Sequence, residues 1–248
     1  MTGKAHNAFI TGAGKNIGRA VALELAGRGY NVVVNGRADR AACEEVAAAA
    51  RAKGVRAEVA MGDVGIAADA QRLAADALKQ FGTVDVFVAN AAIRPDKAFL
   101  DTTPEDWQRV MGANLEAAIW LSQAFLPGML AQGWGRIVSM TGRNAMRGYA
   151  GHVTTSVAKH GLLGLTKTLA REYGPQGVTV NAISPGAIDT YRGNDATRLA
   201  RLATATKDIP LRRLGTSEEI AAVCGLLCSE EGAYVTGQMI GVNGGVET

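Results

Sequence analysis

Thr11-Gly12-Ala13-Gly14-Lys15-Asn16-Ile17-Gly18 follows a short apolar run at 8–10 and opens a stretch of helical periodicity. Glycines at a strand-to-helix junction let the backbone turn tightly and approach a phosphate closely, while the helix N-terminus offers free N–H groups and the positive end of its dipole. Further apolar runs at 32–35, 56–59, 84–90, 135–140, 178–184 and 239–242 alternate with helical patterns such as 18–28, 40–53, 67–81 and 103–131. Continuous apolar strands separated by helices predict an α/β chain, a doubly wound parallel sheet with helices on both faces. No Pro/Ser-rich linker or shift of composition divides the chain, so one domain over 1–248 is expected.

The composition excludes several classes. Hydrophobic residues make up 48% and charged residues 20%, so a packed core is expected rather than a disordered chain. Aromatic residues are only 5%, which leaves the core to Val, Leu, Ile and Ala. A net charge of +3 without a dense basic run makes nucleic acid a poor partner. No stretch reaches the ~18–20 apolar residues of a membrane span, and no secretory pattern opens the chain, so a soluble cytoplasmic protein is expected. Cys43, Cys224 and Cys228 imply no disulfide framework and fit a reducing compartment. Cys224 and Cys228, one helical turn apart, read as helix packing, and no metal site is expected.

The glycine spacing, with Gly12, Gly14 and Gly18, departs from G-x-G-x-x-G by one residue and resembles the short-chain dehydrogenase/reductase family. Other matches follow in order. Asp63-Val64 resembles the pair beside the adenine ring, and Asn90-Ala91-Ala92 resembles an N-A-G motif with Ala in third place. Asn114 stands in a helix as the family's Asn does. Pro185, Gly186, Ile188 and Thr190 resemble the segment that holds the nicotinamide amide, and Asn243-Gly244-Gly245 the family's C-terminal end. The resemblance covers nearly the whole chain. It implies a Rossmann-type fold, a dinucleotide held by Gly12, Gly14, Lys15, Asn16, Ile17, Gly18, Asp63, Val64, Asn90 and Ala91, and a homodimer or homotetramer packed through the apolar stretches 107–131 and 156–173.

At the end of the second strand, Val34-Asn35-Gly36-Arg37 has Gly where an NAD-preferring fold carries an acid for the ribose hydroxyls. Arg37, with Lys15 in the phosphate turn, suits a 2′-phosphate of about −1.5 to −2 charge. NADP is therefore expected over NAD.

The family's chemistry uses Tyr and Lys at Y-x-x-x-K on one helix face, with a preceding Ser. Here Thr155-Ser156-Val157-Ala158-Lys159 places Lys159 at the Lys and Thr155 at the Tyr, and the Ser position falls on Gly142. Thr155 can donate a hydrogen bond but is a far weaker acid than a Tyr of pKa ~10. A local shift would bring Thr141 into the Ser role, and His152 and Tyr149, on the loop before the helix, are candidate proton donors. Reduction of an activated C=C, through an enolate held by hydrogen-bond donors, is a third way round the missing Tyr. Arg94, Arg143 and Arg147 would suit an anionic small-molecule substrate. A polar stretch at 189–210 is expected to act as a substrate lid beyond a strand end. The leading expectation is an NADP-dependent oxidoreductase with an altered proton donor. A nucleotide-binding protein without turnover, or a lyase or isomerase in the same pocket, stands beside it.

Overall fold

The computed structural model describes residues 5–190 and 206–246. Seven strands form one parallel sheet: β1 (Asn7–Ile10), β2 (Asn31–Gly36), β3 (Ala57–Met61), β4 (Val86–Ala89), β5 (Gly135–Met140), β6 (Val178–Pro185) and β7 (Met239–Val242), in the order β3-β2-β1-β4-β5-β6-β7. The register pairs Phe9 with Val33 on one side and with Phe87 on the other. Strand side chains alternate between faces, so each face builds its own core. Ala8, Ile10, Val32, Val34, Val86 and Val88 meet α1 (Asn16–Gly27), α2 (Arg40–Arg51) and α7 (Ser217–Leu227). Phe9, Val33, Phe87 and Ile137 meet α3 (Ala67–Phe81) and α5 (Ala117–Gln132). Three phenylalanines centre the second core: Phe125 of α5 lies 5.4 Å from Phe9 and 5.6 Å from Phe87, ring to ring. Cys43, Cys224 and Cys228 are buried in the first core as free thiols.

The chain runs outward from β1 to β3 and then crosses to β4, so the strand order reverses between β1 and β4. A crevice opens at such a switch point beyond the carboxyl ends of the strands. No helix among the described residues is long and apolar enough to cross a membrane.

One expected element differs. The helical pattern 103–131 is α4 (Pro104–Met111), a π-helical turn at Gly112–Glu116, and then α5. Thr103 and Asp106 form a reciprocal cap at the start of α4. The π turn coincides with close contact to the loop after β3: a Cβ on Gly112 would stand 2.4 Å from the Gly65 carbonyl oxygen. Such turns add one residue to the helix and re-aim the side chains on it. The helix expected at 156–173 begins earlier, as α6 (Val153–Tyr173). Of the expected lid at 189–210, residues 191–205 lie outside the described residues.

Candidate functional site

The turn after β1 is shaped as a cradle. Gly12 has φ +61 and Asn16 φ +52, both left-handed. The N-cap of α1 is Lys15, whose side chain caps nothing, and the first turn carries no acid. The leading N–H groups of α1 are thus left for a ligand. A Cβ on Gly18 would stand 2.3 Å from the Gly12 oxygen, 2.6 Å from Asn90 Nδ2 and 2.9 Å from Ala13 Cα, so only glycine permits this approach of helix to turn. The turn is pinned from both neighbouring strands. Asn90 Nδ2 donates to the Thr11 and Gly12 oxygens at 2.9 and 3.1 Å. Thr11 Oγ1 accepts from the N–H groups of Asn90 and Ala91, each at 2.9 Å. The Gly12 N–H donates to Asn35 Oδ1 at 3.3 Å, and Asn35 Nδ2 donates to the Ala60 oxygen at 2.9 Å.

A cleft of about 550 Å³ runs over this turn. Gly12, Gly14, Lys15, Asn16, Ile17 and Gly18 form one wall, and Arg37, Asp63, Val64, Asn90, Ala91 and Thr190 line the rest. The cradle, which a Cβ would fill, and the exposed cation of Lys15 fit a dinucleotide pyrophosphate. Arg37 Nη1 lies 3.6 Å from Asp63 Oδ2, so the candidate 2′-phosphate and adenine residues meet across the cleft. Asp63 Oδ1 also accepts from the Gly65 N–H at 2.9 Å.

Sequence reasoning missed three lining groups. Asp39 lies in the cleft but serves as N-cap of α2, its Oδ1 accepting from the Ala42 N–H at 3.0 Å. Asn35 clamps the turn. Cys43 Sγ fills the space beside two glycines: a Cβ on Gly36 would stand 2.3 Å from it, and one on Gly14 3.0 Å. Burial, then Asp39 and Glu44, push the Cys43 thiol pKa up. The helix start at Asp39 was readable as a cap signal; the proximity of Cys43 was not.

Apart from Arg94, the remaining candidates lie outside the lining of this cleft. Pro185 ends β6, and the Gly186 N–H donates to the Val242 oxygen at 3.0 Å. Ile188 bridges to Gly215 and lines a smaller cavity of about 100 Å³ with Val242, Asn243 and Gly244. Asn114, in the π turn, is 3% exposed, and its amide is spent on one residue. Its Oδ1 accepts from the Ile93 N–H and its Nδ2 donates to the Ile93 oxygen, both at 2.8 Å.

Lys159 is 1% exposed and donates to the Met140 oxygen at 2.6 Å. Burial, and secondarily the Arg94 charge, bring its pKa down to about 7. Thr155, one turn earlier on the same face of α6, is equally buried, and its hydroxyl has no hydrogen-bond partner among the described residues. Thr141 Oγ1 donates to the Ile183 oxygen at 2.9 Å, which commits that hydroxyl to the β5–β6 seam. Gly142 has φ +109 and ψ 174, a region essentially reserved for glycine. His152 starts α6, and its Nδ1 lies 3.1 Å from the Pro95 oxygen. A carbonyl only accepts, so Nδ1 carries the hydrogen and Nε2 is the nitrogen left to exchange a proton. Tyr149 lies under Arg143, whose guanidinium carbon is 5.5 Å from the ring centroid. Of the three arginines expected around a substrate, Arg94 lines the cleft; Arg143 stacks on Tyr149, and Arg147 is exposed.

The chain resembles known proteins over nearly its whole length. The family model described as Enoyl-(Acyl carrier protein) reductase matches residues 12–247. The 3-oxoacyl-[acyl-carrier-protein] reductase of Synechocystis sp. is 38% identical over 243 residues, 98% of this chain and 97% of the relative. The 3-oxoacyl-[acyl-carrier-protein] reductase FabG of Staphylococcus epidermidis is 36% identical over 245 residues, 97% of this chain and 98% of the relative. Among solved structures, acetoin dehydrogenase YohF from Salmonella typhimurium superposes with a TM-score of 0.90 at 31% identity, covering 98% of this chain and 96% of that one. Acetoin dehydrogenase from Enterobacter cloacae gives 0.89 at 32% identity, covering 98% and 96%. The reversed strand order, the glycine cradle at its switch point and these full-length matches make the chain a member of the short-chain dehydrogenase/reductase family.

Proposed function

We propose that this protein is an NADP(H)-dependent oxidoreductase that reduces a carbonyl or activated C=C of a small anionic molecule and takes its proton from a group other than the family's tyrosine. The observation that carries the reading is the glycine cradle at the uncapped N-terminus of α1, opening into a cleft large enough for a nucleotide. Gly12, Gly14, Lys15, Asn16, Ile17 and Gly18 would hold the pyrophosphate. Arg37 would take the 2′-phosphate, Asp63 and Val64 the adenine, and Asn90 and Ala91 the adjoining ribose. Lys159 would serve the nicotinamide ribose, and Pro185, Gly186, Ile188 and Thr190 the nicotinamide amide. When bound, the reduced nicotinamide supplies a hydride. The relatives are named reductases of 3-oxoacyl groups and dehydrogenases of acetoin, which supports carbonyl chemistry here.

Asn114 holds the loop after β4 through Ile93. Thr155 offers a short buried hydroxyl, Thr141 has its hydroxyl committed, and Tyr149 is packed under Arg143. His152 then serves as the proton source through Nε2. The exposed apolar surfaces of Trp107 on α4 and Val157 on α6 favour a homodimer or homotetramer through these helices.

NADPH oxidation against activated ketones, oxo acids and electron-poor enones, with NADPH fluorescence followed in parallel, tests the assignment. Turnover that His152→Ala slows by roughly 100-fold or more is the expected result. An unaltered rate in that variant overturns the role of His152. Tight NADPH binding with no hydride transfer to any acceptor overturns the redox reading in favour of a nucleotide-binding subunit, or of a lyase or isomerase detected by product analysis. The buried, unpartnered Thr155 hydroxyl is what keeps that second reading in view.

A further inference from the structure

Gly36 ends β2, the place where a nucleotide-binding fold can carry an acid for the ribose hydroxyls. Its backbone lies outside the left-handed region, so the conformation of the chain does not require glycine there. Space does. A Cβ on Gly36 would stand 2.3 Å from Cys43 Sγ, well inside the ~3.5–4.0 Å of an ordinary contact between heavy atoms. The next nearest atoms are Met61 Sδ at 3.7 Å and Met61 Cε at 3.9 Å, both at ordinary contact distance. A single sulfur atom accounts for the whole obstruction.

Both sides of this contact are fixed. The Gly36 carbonyl accepts from the Gly62 N–H at 3.0 Å, and the Asn35 carbonyl before it accepts from the Ala13 N–H at 2.8 Å. The strand end is thereby tied to the loop after β3 and to the phosphate turn. Cys43 lies near the start of α2, where its N–H donates to the Asp39 oxygen at 3.3 Å, and its side chain is buried in the first core. Sγ is attached directly to Cβ and has no long stem on which to swing aside. It also meets the phosphate turn, since a Cβ on Gly14 would stand 3.0 Å from it. The thiol is thus a wedge between the phosphate turn and the end of β2, and Gly14, Gly36 and Cys43 all line the cleft.

We propose that Cys43 is a positioning residue for nucleotide choice: its sulfur fills the place of any side chain at 36, keeps the end of β2 free of an acid, and leaves that end to Arg37 and a 2′-phosphate. The proposal rests on the NADP(H) reading and says what enforces it. An acid at 36 would accept from the ribose hydroxyls of NAD and repel the 2′-phosphate of NADP. Removing Sγ would open the position, because nothing else stands closer to the added Cβ than Met61 Sδ.

The test places Gly36→Ala and Gly36→Asp in the parent and in Cys43→Ala. Alanine reads the contact alone. Gly36→Ala is expected to lower the melting temperature of the parent by roughly 2–12 °C, the range for overpacking, and that of Cys43→Ala by less than about 2 °C. Aspartate reads the choice, through fluorescence titration of NADPH and NADH. In the parent, Gly36→Asp displaces the strand end and the phosphate turn that both nucleotides share, so both weaken and their affinity ratio stays within about three-fold. In Cys43→Ala the same aspartate moves the ratio toward NADH by roughly 10- to 100-fold, the range for charge-assisted hydrogen bonds. Cys43→Ala alone keeps the preference for NADPH, since Gly36 still offers no acceptor. A thiol that only fills the core would change stability and leave this ratio alone. Equal melting-temperature losses from Gly36→Ala with and without the sulfur would remove the wedge and leave the nucleotide reading intact. A full move to NADH by Gly36→Asp in the parent would also overturn the proposal, because the choice would then not pass through Cys43. A parent that binds NADH as tightly as NADPH would overturn the nucleotide reading and the proposal with it, whatever the melting temperatures show.

Discussion

Replacing Arg37 with Ala tests which nucleotide the cleft is built for. In the free protein Arg37 Nη1 lies 3.6 Å from Asp63 Oδ2, with the two side chains 63% and 31% exposed. A pair that open to solvent is worth about 0.2–1 kcal/mol. Charge-assisted bonds from the same guanidinium to a 2′-phosphate are worth about 1.5–3 kcal/mol. NADPH binding has to break the first to gain the second, so the net contribution of Arg37 is about 0.5–2.8 kcal/mol. Arg37→Ala should therefore weaken NADPH by roughly 2- to 100-fold. NADH, without the phosphate, should change by less than about two-fold. The same balance gives Asp63→Asn the opposite sign. It keeps the acceptor used by the Gly65 N–H but releases Arg37, so NADPH affinity should rise by up to about five-fold. Fluorescence titration of both nucleotides at two ionic strengths measures all four quantities, and added salt should shrink the NADPH effects. Equal loss of NADPH and NADH in Arg37→Ala, or weaker NADPH binding in Asp63→Asn, would refute the reasoning.

Two further perturbations follow from the geometry. Gly18→Ala drives a methyl against the Gly12 oxygen and Ala13 Cα, which are backbone and cannot swing aside. An overpacking loss of about 1–3 kcal/mol, or roughly 2–12 °C in melting temperature, is expected together with weakened NADPH binding; parental stability and affinity would contradict the close approach. Lys159, with its pKa brought from 10.5 to about 7, binds fewer protons folded than unfolded between those values, so native stability from this group rises as pH climbs through that window. Lys159→Met removes the buried charge and should stabilise the fold by on the order of a few kcal/mol at pH 6, with the advantage shrinking by pH 9; urea unfolding showing the same difference at both pH values would contradict it.

The cradle was legible because its geometry is written in residue identity. Only glycine accepts both the left-handed turn at Gly12 and the approach at Gly18, and the apolar run before them marks a buried strand. The parallel α/β order was legible for a similar reason, since periods of two and 3.6 residues record which faces are buried. The expected helix 103–131 was misread in one respect, because its π turn arises where Gly112 meets Gly65, far away in sequence.

The sequence by itself determined the sheet-and-helix alternation, the phosphate turn and the candidate residues around it, all properties of a residue and its near neighbours. Only the tertiary structure decided what those residues do with one another. Asn114 spends its amide on Ile93, Arg37 faces Asp63, Cys43 fills the space left by two glycines, and Thr141 is tied to β6. Each of these is a contact between segments brought together by the sheet. Local pattern carries no information about which side chain will arrive opposite another, because strand order and helix packing make that choice across the whole chain.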